Sequence, residues 1–412
     1  MAFIIDLIPF VFRSFGYLML SPFFWIIVLL IGMQYSRMSA AKAKMFGVKD
    51  EPIWQHVLIA SAYGLLGGVI GAFLMILAGV TITSIGIGYL WGVAIVLLLI
   101  SPRFLCFSYA GSIVSISYLL FGWPQIEVPQ LMALVAILHL VESFLILVSG
   151  HLGAMPVYTQ NANGETVGAF SLQKFWPIPI VALMVVAGSP VGATVQMPDW
   201  WPVIKAFKPI DPGSSFYAML PVMAALGYGD IAITTTPQRK SYHSAALLFV
   251  YSIILFLLSV IASHYLYLAI LPALFGALGH ELTIYLGKKS QMRGKSLYTP
   301  PNVGVMVLDV LRSSPAMAMG IRSGDIILAV NGIRVDNKYH LGALLHSIYN
   351  NVEIEYVKNN DNKIYREFLW VKPDEPFGII PVPERTDSPL VTLSAKGILV
   401  RWWRKAFPKK DS

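Results

Sequence analysis

Residues 302–337, NVGVMVLDVLRSSPAMAMGIRSGDIILAVNGIRVDN, decide how this chain is read, because here a long apolar sequence gives way to short β-rich runs punctuated by turns. Val305 to Val310 alternates like a strand. Ser313-Ser314-Pro315-Ala316 opens a short helix with a Ser cap and an early Pro, and Gly320 ends it. Gly324-Asp325 turns into the apolar strand Ile326 to Val330, and Asn331-Gly332 makes a tight hairpin turn. A helix from Asn337 to Tyr349 follows. Strands Val352 to Lys358 and Lys363 to Val371, joined through Asn359-Asn360-Asp361-Asn362, close a small sheet.

Everything upstream has a different solvent. Of 412 residues, 56% are hydrophobic and 13% charged, where soluble domains carry about a quarter charged. That much apolar surface calls for lipid. The one cysteine, Cys106, sits in an apolar run and excludes an intrachain disulfide. The N-terminus shows neither a basic region nor a small-residue cleavage site, so the first apolar segment is expected to stay as an anchor.

A crossing helix needs roughly 20 mostly apolar residues. Candidates are 16–33, 53–80, 84–100, 104–122, 129–149, 176–195, 216–233, 245–264 and 266–287, with residues 1–15 as an interfacial helix. The expected fold is therefore a polytopic α-helical membrane domain of eight or nine spans over 1–290. A small α/β module over 300–384 and a basic amphipathic tail over 385–412 follow it. If the loop after the first span faces inward, the inner segments hold Arg37, Lys42, Lys44, Lys49, Arg103, Lys174, Arg239, Lys240, Lys288, Lys289, Arg293 and Lys295. The outer segments then hold only Arg13, Lys205 and Lys208. By the positive-inside rule this places the module and the C-terminus in the cytoplasm of a multi-pass cell-membrane protein. Residues 156–175 read as a β-hairpin turning at Asn161 to Gly164. Trp200 and Trp201 read as an outer interfacial belt.

Few residues in the spans suggest chemistry. His139 and Glu142 lie three apart on one helical face near the middle of a span, an intramembrane polar pair that fixes helix packing or serves proton or metal traffic. Gly279-His280-Glu281 lacks the second His that a zinc-protease helix needs, since that position is Ile284, and it reads as solvated helix end. Gly227-Tyr228-Gly229-Asp230 lacks the upstream Thr of a potassium filter and reads as a turn ending a span. No G-x-S-x-G elbow or phosphate-cradling loop occurs. No catalytic residue, metal site or cofactor is expected.

The run from Ser314 to Gly332 matches S-P-A-x-x-x-G-(I/L)-x-x-G-D-x-I-L-x-V-N-G and resembles the signature of PDZ domains. The order is similar to the permuted bacterial type, whose peptide-binding strand comes last. That resemblance implies that Phe377-Gly378-Ile379-Ile380 is the carboxylate loop and groove strand. It implies that His340 is the helix-start His touching a ligand Ser or Thr, and that Leu341, Leu344 and Leu345 line an apolar pocket. As residues alone, the leucines fit a core equally well. In the tail, Arg401, Trp402, Trp403, Arg404 and Lys405 belong to a basic, Trp-rich segment suited to an anionic membrane surface.

Many spans followed by one terminal PDZ module, with His139-Leu140-Val141-Glu142-Ser143 and Phe175-Trp176-Pro177-Ile178-Pro179, resembles the MinJ-like family of division-site determinants of Gram-positive bacteria. The resemblance implies a non-enzymatic scaffold at septum and poles that bridges the polar protein DivIVA and the division inhibitor MinD. The residues themselves reach a membrane-tethered binder of peptide or C-terminal segments, with the lipid bilayer as a partner and no nucleic acid. Two rivals stay open. A site-2-type intramembrane protease relative would carry HExxH in one span and an Asp ligand in another. A transporter would use the His139/Glu142 pair. Metal content of the purified protein and the His139→Ala, Glu142→Ala variants separate these readings.

Overall fold

A computed structural model of the chain describes residues 2–47, 52–104, 106–190, 192–206, 214–347, 350–359, 361, 363–372 and 375–389. The tail residues Arg401 to Lys405 lie outside the described residues.

The first half is helical. The helices are α1 (Ala2–Leu20), α2 (Pro22–Phe46), α3 (Ile53–Ala78), α4 (Ile87–Ile100), α5 (Phe107–Phe121) and α6 (Val128–Ser149). After a hairpin come α7 (Pro237–His264) and α8 (Ile270–Arg293). Six described helices, all but α4 and α5, are long and apolar enough to cross a membrane by length and composition. α4 and α5 have 14 and 15 residues. Residues 1–15 are not a separate interfacial helix, because the break comes at Ser21, whose side chain caps α2 while Pro22 takes its first position. A proline there lacks only an amide that the first turn leaves unbonded anyway. Helix α6 is the centre of the bundle, with 72% of its apolar window buried.

Two expected spans are strands. β1 (Met155–Gln160) pairs with β2 (Thr166–Ala187), which pairs with β3 (Ser215–Ala232). The hairpin turn at Asn161 to Gly164 forms where the sequence places it, with Gly164 N donating to Asn161 O. β2 then runs on through 176–187, and 216–233 returns as its partner, so Gly227 to Asp230 is strand and not turn. Pro177 and Pro179 give the reason. Two prolines one residue apart remove two helical hydrogen bonds and clash with the preceding turn.

In a strand the same prolines are useful. Odd-numbered β2 residues turn their amides and carbonyls away from β3: Phe175 N donates to Tyr35 Oη, Val185 N to Thr83 Oγ1, and Leu183 O accepts from Ile82 N. Pro177 and Pro179 share that parity, so this edge lacks two donors that would otherwise need partners in an apolar layer. Their carbonyls meet α3 at Gly64 and Gly68, where an added Cβ would stand 2.1 Å from Pro177 O and from Pro179 O. Pro221, opposite Val181, removes a donor from the outer edge of β3 by the same parity.

The second half is the small sheet. β4 (Val305–Val310), α9 (Pro315–Ala318), β5 (Ile326–Val330), β6 (Ile333–Arg334), α10 (Lys338–Ser347), β7 (Asn350–Val357), β8 (Ile364–Val371) and β9 (Ile379–Pro381) follow one another. The strand order is β8-β7-β5-β4-β9, with β6 on β5. Asn331 and Gly332 both have positive φ, as the tight turn requires. The core of this unit joins Val307, Ile327, Val330, Leu341, Ile354 and Tyr356.

Module and hairpin are packed together. Gly168 N donates to Tyr298 O at 2.9 Å, Leu297 N to Ile233 O at 2.9 Å, and Tyr158 Oη to Pro381 O at 2.9 Å. Leu308, Ile380 and Val382 belong to the same apolar cluster as Tyr158, Phe170 and the helices.

Candidate functional site

In the sheet module, Ile379 of β9 and Leu344 and Leu345 of α10 pack against the same apolar core, which is where the resemblance expects a groove. At one end, Gly378 has φ +85°, and an added Cβ would stand 2.3 Å from Ser314 Cβ. The Gly378 carbonyl accepts from Leu311 N and the Phe377 carbonyl from Ala316 N, so both oxygens are held by the loop that opens α9. Flanking β9, Gly378 and Val382 bond toward β4 and the residue after it, Gly378 through its carbonyl and Val382 through its amide. Ile379 and Pro381 have the opposite parity and turn their backbone outward. Pro381 has no amide, and its carbonyl is taken by Tyr158. Burial beside Asp387 pushes the Tyr158 hydroxyl well above its usual range, which keeps it a donor.

The sequence-named residues divide. Leu341 is core, 2% exposed and packed with Phe377, while Leu344, Leu345 and Ile379 are half-buried beside it. Ile380 is 1% exposed and faces the hairpin side, so it does not line the groove. The reason is the pleat, which sends neighbouring side chains to opposite faces. His340 sits in the first turn of α10, its amide capped by Asn337 Oδ1 at 2.9 Å and its Nδ1 3.5 Å from Asp336. Residues 382–389 fold back over the start of α10. Asp387 ion-pairs Lys338, accepts from Tyr339 Oη at 2.8 Å and gives its carbonyl to Thr166 Oγ1 at 2.8 Å.

A second polar site lies within the helices. His139 and Glu142 share a face of α6, and His139 interacts electrostatically with Glu142. The close polar contacts of His139 lie elsewhere: Nδ1 donates to Val135 O at 2.7 Å, and Nε2 lies 3.1 Å from Cys106 Sγ. His280 is not a solvated helix end. It lies mid-way along α8 with Nε2 3.6 Å from the same sulfur. Glu281 is held by Arg103 and by Tyr109 Oη. The Cys106–His139 and Cys106–His280 pairs are separated by 33 and 174 residues, so no spacing rule could find them. The signal available was weaker: a lone Cys and ionisable residues inside apolar segments.

Residues 306–357 match the family model described as PDZ domain, a match that runs from β4 into β7 and ends before β9. The chain as a whole is 24% identical over 346 residues to the cell division topological determinant MinJ of Bacillus subtilis (strain 168), a match spanning 79% of this chain and 83% of that protein. A solved PDZ domain of an SdrC-like protein from Listeria monocytogenes aligns with 20% of this chain and 90% of its own, at 20% identity and a TM-score of 0.18. The chain is thus similar to MinJ over most of its length and carries a PDZ domain after its apolar helices.

Proposed function

We propose that this protein is a non-enzymatic, multi-pass membrane scaffold whose PDZ groove, facing the cytoplasm, captures the C-terminal segments of partners during division-site selection. The groove observation carries the reading. Gly378 holds a left-handed turn whose carbonyls point into the module, which leaves its amide side for a terminal carboxylate. Ile379 then offers one outward backbone position for strand addition, packed against the same core as Leu344 and Leu345. Tyr158 stops the pairing at Pro381, so recognition rests on the last two or three residues of a ligand.

The permuted strand order, with β9 last and antiparallel to β4, fits the bacterial type. Reading two expected spans as strands removes an even number of crossings and leaves the side of the C-terminus where the charge bias put it. By resemblance to the MinJ-like family, DivIVA and MinD are the partners to test at septum and poles. The test is a cross-linking pull-down on the full chain, with Gly378→Asp and His340→Ala as variants. Loss of one specific partner in both variants supports the reading. An unchanged partner set in a folded Gly378→Asp protein overturns it.

A further inference from the structure

The geometry points to a transition-metal site, built from Cys106, His139 and His280, that binds one zinc ion and staples α5, α6 and α8 together. The three donor atoms lie within 4.8 Å of one another. Zinc bonds of about 2.3 Å to sulfur and about 2.0–2.1 Å to nitrogen set a sulfur–nitrogen edge of about 3.5 Å in a tetrahedron. The two sulfur–nitrogen distances here are 3.1 and 3.6 Å.

The orientation of the donors supports the same conclusion. His139, 3% exposed, gives its Nδ1 proton to Val135 O, which leaves the Nε2 lone pair facing the sulfur. That is the outer hydrogen bond metal-bound histidines commonly make. Cys106 caps α5, with its sulfur accepting from Ser108 N. Its single thiol proton can serve only one of the two imidazole nitrogens. Hydrogen bonding alone would satisfy the second only if His280 turned its one N–H to a weak sulfur acceptor, leaving Nδ1, already buried without a partner, bare of any proton. A cation meets all three lone pairs at once.

A thiolate and two imidazoles are a donor set that zinc, a borderline-soft ion, takes, with one coordination position left open. Binding releases the thiol proton, and the thiolate offsets one of the ion's two charges. Glu281, bound to Arg103 and Tyr109, is not free to act as a base. The ion is a staple in this reading, and zinc held here does not restore the protease rival, because Ile284 stands where the second His of its motif would be.

The test uses the full chain in detergent, purified from zinc-supplemented medium. Mass spectrometry of the metal content is expected to give about one zinc per chain. Cys106→Ser and His280→Gln each lower zinc affinity at least about tenfold, the scale lost even when an outer partner of a metal ligand is removed. Cobalt substitution gives a thiolate-to-cobalt charge-transfer band in the wild type that Cys106→Ser lacks. Peptide binding by the distant PDZ groove and a monodisperse elution profile check that the variants are folded. A folded wild type with no zinc, or with the same zinc affinity and cobalt spectrum as Cys106→Ser, overturns the site. Copper bound there to the exclusion of zinc overturns the assignment of the ion.

Discussion

The molecule contains two sheets that handle their edges in opposite ways. In the PDZ module the edge beside α10 is left open at Ile379, because an open edge is what a peptide pairs with. In the β2–β3 hairpin the edges lie among apolar helices, and several outward positions of β2 are answered. Pro177 and Pro179 delete donors, α3 glycines bring a helix onto their carbonyls, and Tyr35 and Thr83 accept from the Phe175 and Val185 amides. An edge is therefore a site in one place and a hazard in the other.

The sharpest way to break this comparison is at α3. Gly68→Val drives a side chain into Pro179 O and is expected to cost about 3 kcal/mol or more, the upper end for overpacking. Gly92→Val, with open space around it, should change little. Thermal unfolding in detergent separates them, and equal midpoints would refute the close approach. Gly378→Asp comes next. It meets Ser314 and a positive φ, and should cost about 1–3 kcal/mol and at least about tenfold in peptide affinity, read by titration with free and amidated C-termini. Pro179→Ala returns an amide to the α3-facing edge and should destabilise by about 1–3 kcal/mol, the cost of a buried unsatisfied donor.

Two smaller effects test where the sheets meet. Tyr158→Phe frees the Pro381 carbonyl at a cost of about 0.5–1.5 kcal/mol, and should let longer peptides gain affinity that the wild type does not give. Asp387 is the finest probe. Burial alone would raise its carboxyl, but hydrogen bonds from Lys338, Tyr339 and the Glu384 amide outweigh that and hold it below the usual range. Its contribution is thus present above the ordinary carboxylate value and lost as pH falls through the lower folded one. The melting difference between wild type and Asp387→Asn should close over that acidic window, and a gap independent of pH would dismiss the ion pair.

The module was legible because its signals are contiguous. Ser314-Pro315, Gly320, Asn331-Gly332 and Asn337 each act on the next few residues, and the strands and helices appear where those residues put them. The hairpin was half legible. Its turn obeys a local rule, but β2 and β3 are apolar on both faces and lose the alternation that marks a strand. Only Pro177-Ile178-Pro179 carried the information, and it outweighs hydrophobic length. Which face of β9 a side chain takes depends on pairing with β4, so the sequence alone does not separate Ile379 from Ile380. Cys106, His139 and His280 come from the start of α5 and from two other helices, and nothing along the chain announces that these meet.

The contact between Tyr158 and Pro381, with the Gly168–Tyr298 bridge, has a consequence for reach. β2 is 22 residues long, about 70 Å at roughly 3.3 Å per residue, and one end of it grips the PDZ module. A groove on a slack linker would sweep a volume and meet partners at any height. A groove bolted to a rod that is itself embedded among the helices has no such freedom. On the proposed function it is held at one position relative to the apolar helices, so a partner's terminus must be delivered there to be caught.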